Sequence, residues 1–154
     1  MEQVWEGHAM GYHAIRTARK IVVAIILFST AIGLSQAQTN DDGARAVITN
    51  QLESFLSGDF ENAYSHASDN IKQIFPTVDR FMQMVQSGYL PVLRPGNYAF
   101  GKSETTPSGK IKQNVLIRAP DGSDWTATYY MEPQPDGSWK VDGVQLRKGA
   151  AGMT

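Results

Sequence analysis

The spacing of apolar residues changes twice along the chain. Ile21 to Leu34 is a run of 14 mostly apolar residues, preceded by Arg16, Arg19 and Lys20 and followed by Ser35-Gln36-Ala37. A bilayer-spanning helix needs about 20 such residues. The run is short for an anchor and matches the apolar region of a secretory signal, with a small-x-small cleavage site after Ala37. An uncleaved N-terminal membrane anchor is the alternative. A buried core helix is disfavoured, because the run has no polar face. Glu2 and Glu6 are unusual ahead of such a run, and a start at Met10 gives a more ordinary basic leader.

From Gln38 the period becomes helical. Asp41 or Asp42 can cap a helix whose apolar face carries Ala44, Val47, Ile48, Leu52, Phe55 and Leu56, with Arg45, Thr49, Asn50 and Glu53 opposite. Gly58 stops it. Asp59 caps a second, short helix with Phe60, Ala63, Tyr64 and Ala67 on one face. Ile71, Ile74 and Phe75 form a brief apolar patch cut by Pro76. Thr77 caps a third helix with Val78, Phe81, Met82 and Val85 inward, ended by Gly88. Tyr89 to Asn97, with Pro91, Pro95 and Gly96, reads as a loop.

From Tyr98 the period is two. Tyr98 to Thr105 is a weak strand, followed by a turn at Ser108-Gly109. Ile111, Gln113, Val115 and Ile117 share one face of the next strand. After Pro120-Asp121-Gly122 comes a strand with Trp125, Ala127, Tyr129 and Met131 inward and Thr126, Thr128 and Tyr130 outward. Pro135-Asp136-Gly137 is the next turn, and Trp139 and Val141 then share a face. The apolar parity slips at Asp142-Gly143 before Val144 and Leu146, which predicts a β-bulge. Helices followed by a meander predict an α+β fold, with three helices packed on one face of a curved antiparallel sheet of about four strands. The tail from Lys148 to Thr154 reads as frayed.

Composition narrows the classes. The 154 residues hold 14 Lys+Arg against 15 Asp+Glu and no cysteine, with 42% apolar residues. One globular domain follows, without an electrostatic case for nucleic acid. The absence of Cys removes disulfides, thiolate nucleophiles and zinc–thiolate or iron–sulfur sites. Loss of residues 1–37 leaves 117, of which 11 are basic and 13 acidic. A chain of that size buries roughly 65% of its unfolded surface, enough for one core without covalent staples. The periplasm or the extracellular space is the expected location, with no membrane attachment once the leader is cut.

The segments GDFENAYSHAS (Gly58 to Ser68), FPTVDRFMQMVQSGYLPVLRP (Phe75 to Pro95) and GSWKVDGVQL (Gly137 to Leu146) together resemble the DUF4864 family, small exported bacterial proteins without an assigned function. The resemblance spans nearly all of residues 38–154. It implies an NTF2-like (cystatin-like) cone, a bent sheet wrapping the helices with a pocket at its open end. It also implies a homodimer through the outer sheet face at Thr126, Thr128 and Tyr130, and no particular chemistry.

Isomerases of that wider superfamily use a carboxylate inside the cone as a general base. Here the inward set is Val115, Ile117, Trp125, Ala127, Tyr129, Met131, Trp139 and Val141, with no acid in it; Asp121, Asp124, Asp136 and Asp142 fall at turns or strand ends. His66, the sole histidine after residue 37, lies off the apolar helix face and is expected in solvent; with only Asp69 near it, it makes no metal site. No catalytic residue, metal or cofactor is therefore assigned. Tyr64, Tyr89, Tyr129 and Arg94 are the candidates to line a pocket mouth, gripping a carbonyl or carboxylate; the structural alternative makes the tyrosines core residues and pairs Arg94 with helix carbonyls. Gln113 on an apolar strand face is either a pocket group or an edge residue. The expected function is non-catalytic: binding of a small apolar or amphipathic ligand, or docking of a partner protein in the cell envelope. Two alternatives stay open. One is a pocket enzyme of the isomerase or cyclase kind using His66 or a tyrosine. The other is a structural homodimer whose cone is packed shut by Trp125 and Trp139.

Overall fold

A computed structural model describes residues 38–149. The leader, the Met10 start, the cleavage site and the last five residues lie outside this range. The chain divides into two units, Met1–Thr39 and Asn40–Thr154, and the second carries the fold.

Helix α1 covers residues 38–57 and ends before Gly58. The helices α2 (Phe60–Ser65), α3 (Asp69–Ile74), α4 (Val78–Gly88) and the single turn α5 (Leu90–Leu93) follow, then strands β1 (Asn97–Thr105), β2 (Ile111–Arg118), β3 (Asp124–Pro133) and β4 (Trp139–Lys148). The sheet is an open antiparallel meander in the order β1-β2-β3-β4. The α+β class and the four strands are as the sequence pattern implies. The helix count is five among the described residues instead of three. Ser68 accepts a hydrogen bond from the Ile71 N–H and so turns the short apolar patch into α3. Pro91 sits in the first turn of α5, where its missing N–H costs nothing, so part of the expected loop is helical. Asp59 and Thr77 cap α2 and α4 through Asn62 and Arg80 N–H groups, as their positions imply.

One apolar cluster joins the helices to the sheet. Ala44, Ile48, Leu52 and Phe55 of α1 meet Phe81, Met82 and Val85 of α4 and the inward residues of β2, β3 and β4. Two bulges bend the sheet. In β1 the pairing jumps from Phe100↔Val115 to Ser103↔Gln113. In β4 it jumps from Tyr130↔Gly143 to Met131↔Val141, leaving Asp142 as the extra residue. The second bulge stands where the parity slip places it.

The two later hairpins use the same device. Gly122 N–H bonds the Ala119 carbonyl at 2.9 Å and Gly137 N–H the Gln134 carbonyl at 3.0 Å. In each, an aspartate (Asp121, Asp136) accepts from the N–H and hydroxyl of the serine two residues on. The glycines take φ of 83° and 84°, the left-handed conformation that follows a tight turn and that a side chain disfavours.

The helical layer is stitched to β4 by main chain. Ser68 N–H donates to the Val141 carbonyl at 2.9 Å and Val141 N–H to the His66 carbonyl at 2.8 Å, around a parallel bridge of Ala67 with Val141. This stitch and the β4 bulge together define the site.

Candidate functional site

Where β4 bulges away, the helices and the sheet do not close fully on each other. A cavity of about 230 Å³ remains, walled by Gln51 and Phe55 of α1, Ile71 and the adjoining Ala67 and Phe75 around α3, Phe81, Met84 and Val85 of α4, Tyr89 and Val92, and Val141, Gly143 and Val144 of β4. Strict alternation from Val141 would keep Gly143 on the same face and turn Val144 to the opposite one. The extra residue Asp142 resets the parity, so both valines reach the cavity. Aromatic packing holds the far wall: Phe55 stacks on Phe81 at 6.2 Å, and Tyr64 tilts against Phe81 at 5.3 Å.

The lining is apolar apart from Gln51 and Tyr89, and among the described residues no carboxylate, imidazole, ammonium or guanidinium belongs to it. Gln51 is 3% exposed. Its Nε2 donates to the Ala63 carbonyl at 3.1 Å. Because a carbonyl can only accept, this bond fixes which end of the amide is which and leaves Oε1 as an acceptor without a protein partner. Gln51 was not singled out by sequence reasoning. Its signal is nevertheless present: it stands three residues after Ile48 and four before Phe55, a polar side chain in the middle of an apolar helix face.

The family model of DUF4864, a domain of unknown function, matches residues 37–154. The chain belongs to this family. No curated protein and no solved structure matches it.

The DUF4864 fold does not gather the four candidate residues in one place. Tyr89 lines the cavity, half-buried, and its N–H ends α4 on the Val85 carbonyl. Tyr64 stands behind the wall; its hydroxyl donates to the Phe75 carbonyl at 2.6 Å and Lys72 lies 5.5 Å from its ring, so it braces α3. Tyr129 is at no mouth. It sits mid-sheet between Gln113 and Val144, is 0% exposed, and its hydroxyl has no partner. Burial drives its phenol well above the ordinary range, with a small push from Tyr98. Arg94 is exposed on a separate groove with Leu56, Phe60, Leu93 and Pro120.

Three polar residues are structural in ways the pattern does not show. Gln113 is fully buried and serves the β1 bulge: its Nε2 reaches the Gly101 carbonyl at 3.0 Å and the Asn114 carbonyl at 2.8 Å, while its Oε1 accepts from Arg45 Nε at 2.9 Å. It is thus neither a pocket group nor an edge residue. His66 is half-buried, not in open solvent, because its carbonyl is part of the β4 stitch; its Nε2 is enclosed and unpaired. Burial, then the charges of Lys140 and Lys72, hold its pKa below the ordinary value. Asp142 lies inside β4 and not at its end. It accepts from Ser68 Oγ at 2.8 Å and Lys110 Nζ at 3.0 Å, the latter also 3.3 Å from Glu132. Burial pushes its carboxyl up, but the bonds from Ser68 and Lys110, the Lys110 charge and Asn70 outweigh that and leave it below the usual carboxylate range. Among the described residues no three acids or histidines converge as a metal site, and no helix is long and apolar enough to cross a membrane.

Proposed function

We propose that this chain is an exported, non-catalytic binding protein that holds a small apolar or amphipathic molecule in the cavity between α1, α3, α4 and β4. The observation that carries this reading is the wall itself. It is apolar on every side, includes two neutral polar side chains, and offers no group able to move a proton near pH 7. A cavity of 150 Å³ accommodates a benzene, so 230 Å³ has room for roughly nine carbons. Burying eight methylenes at about 0.8 kcal/mol each gives about 6 kcal/mol, a dissociation constant of tens of micromolar.

Export is supported by the basic flank, the 14-residue apolar run and the small-x-small site before the family domain. Neither Trp125 nor Trp139 belongs to the cavity wall, which supports an open cavity over an interior closed by the tryptophans. The outer sheet face is mostly polar, with Thr126 bonded to the Gly149 carbonyl and Thr128 to Asn114, and homodimer formation there is the secondary expectation.

Native mass spectrometry of the protein recovered from its own envelope fraction tests these points together. The expected result is a chain beginning at Gln38, and its titration with the ten-carbon fluorescent dye naphthalene is expected to saturate in the tens of micromolar. A chain that gives no saturable signal with this dye overturns the binding reading.

A further inference from the structure

The chemistry of the cavity's innermost polar atom goes one step further than a generic apolar site, and the step rests on the binding reading above. Of the two polar side chains in the wall, Gln51 is the enclosed one and Tyr89 the half-exposed one, so Gln51 marks the inner end and Tyr89 the mouth. One N–H of the Gln51 amide is committed to the Ala63 carbonyl and a second N–H remains, whereas Oε1 receives no donor at all. The atom left wholly unsatisfied beside the cavity is therefore the acceptor. An acceptor in an apolar enclosure rewards a donor and penalises another acceptor, above all a charged one.

A carboxylate would also find no counter-charge in the lining. Of the basic side chains on the surrounding elements, Lys72 lies over the Tyr64 ring, Lys110 is paired with Asp142 and Glu132, Lys140 bonds the Ser65 carbonyl, Arg45 bonds Gln113, and Arg80 of α4 is exposed to solvent. Arg94 faces another groove. We infer that the cavity selects a neutral amphiphile of about eight carbons whose head donates a hydrogen bond, a hydroxyl or a primary amide, to Gln51 Oε1, in preference to the corresponding carboxylate or to an ether of the same size. The chain of the ligand then lies along Phe55, Phe81, Val85, Val141 and Val144, and its free end reaches Tyr89.

The test is displacement of the ten-carbon fluorescent dye naphthalene from the whole protein at pH 7 by three probes of nearly equal size: 1-octanol, heptyl methyl ether and octanoate. The ether keeps the size and neutrality of the alcohol and removes its donor; octanoate adds charge. The expected result is that octanol displaces the dye at least tenfold more effectively than either. In Gln51→Leu the dye still binds while the octanol advantage over the ether disappears. Equal displacement by octanol and the ether, or tighter binding of octanoate, overturns the donor-head assignment while dye binding keeps the cavity reading intact. A protein that binds neither dye nor octanol overturns both. Should Gln51→Leu fail to fold, the three-probe comparison on the unaltered chain decides the matter alone.

Discussion

Tyr129 carries a hydroxyl where nothing receives it. An unpaired buried donor costs roughly 1–3 kcal/mol, so its removal is favourable when the ring stays. Tyr129→Phe is expected to leave the fold intact and to raise stability by about 1 kcal/mol in urea unfolding; a loss of stability would show that the hydroxyl is satisfied in solution. Asp142 is the opposite case. Its depressed pKa means that its contribution is complete above about pH 3.8 and is lost as pH falls through the lower folded value. Asp142→Ala leaves Ser68 and Lys110 without their shared acceptor and is expected to cost about 2 kcal/mol at pH 7, with the difference from the parent shrinking below pH 3.8. His66 adds a second, milder pH dependence of the same sign. Its folded-state pKa lies below 6.5, so its neutral form favours the folded chain. Stability is intact above pH 6.5 and falls as the imidazole is forced to charge beneath it. A pH series of thermal unfolding on His66→Gln is expected to lose the decline just below pH 6.5 and keep the acid limb that belongs to Asp142.

At the scale of the element, the paired Pro-Asp-Gly-Ser turns and the two bulges set the register of the sheet. Gly137 at φ 84° is followed directly by the strand that bears the cavity valines. Gly137→Ala forces a Cβ into the left-handed region at a cost of about 1–2 kcal/mol, read as a fall of several degrees in Tm. Gly122→Ala, in the twin turn, is expected to cost the same, because the local hydrogen bonds are the same; unequal losses would place part of the strain in tertiary contacts. The β1 bulge depends on a single side chain. Gln113→Leu keeps the volume but strands the Gly101 carbonyl and the Arg45 guanidinium, and is expected to destabilise more than either turn substitution.

At the scale of the molecule, the cavity is the price of bending β4 away from the helices. Val144→Phe fills it from the sheet side. It is expected to abolish dye binding with little change in Tm, since an added ring in empty apolar space gains contacts instead of forcing a repack. Dye binding that survives Val144→Phe would move the binding site elsewhere on the surface.

Much of this architecture is legible locally. Hydrophobic period separates the helical half from the meander, Asp59 and Thr77 announce their helices, the Pro-Asp-Gly triplets announce two turns, and the parity slip at Asp142-Gly143 announces the bulge, because each depends on contacts a few residues apart. The site is not legible in the same way. Tyr129 and Tyr89 look alike along the chain, yet one ends in the core and the other in the cavity wall. Gln113 and Gln51 are both polar side chains on apolar faces, yet one mends a bulge and the other faces open space. Those fates depend on what lies opposite each side chain from 12 to 74 residues away, as in Gln51 with Ala63 and Ser68 with Asp142. The sequence by itself determined the elements, their order and their turns, through short-range sterics and hydrogen bonding. Only the tertiary structure decided which polar atoms are spent and which remain for a ligand, because that depends on partners brought together by the packing of helices on the sheet.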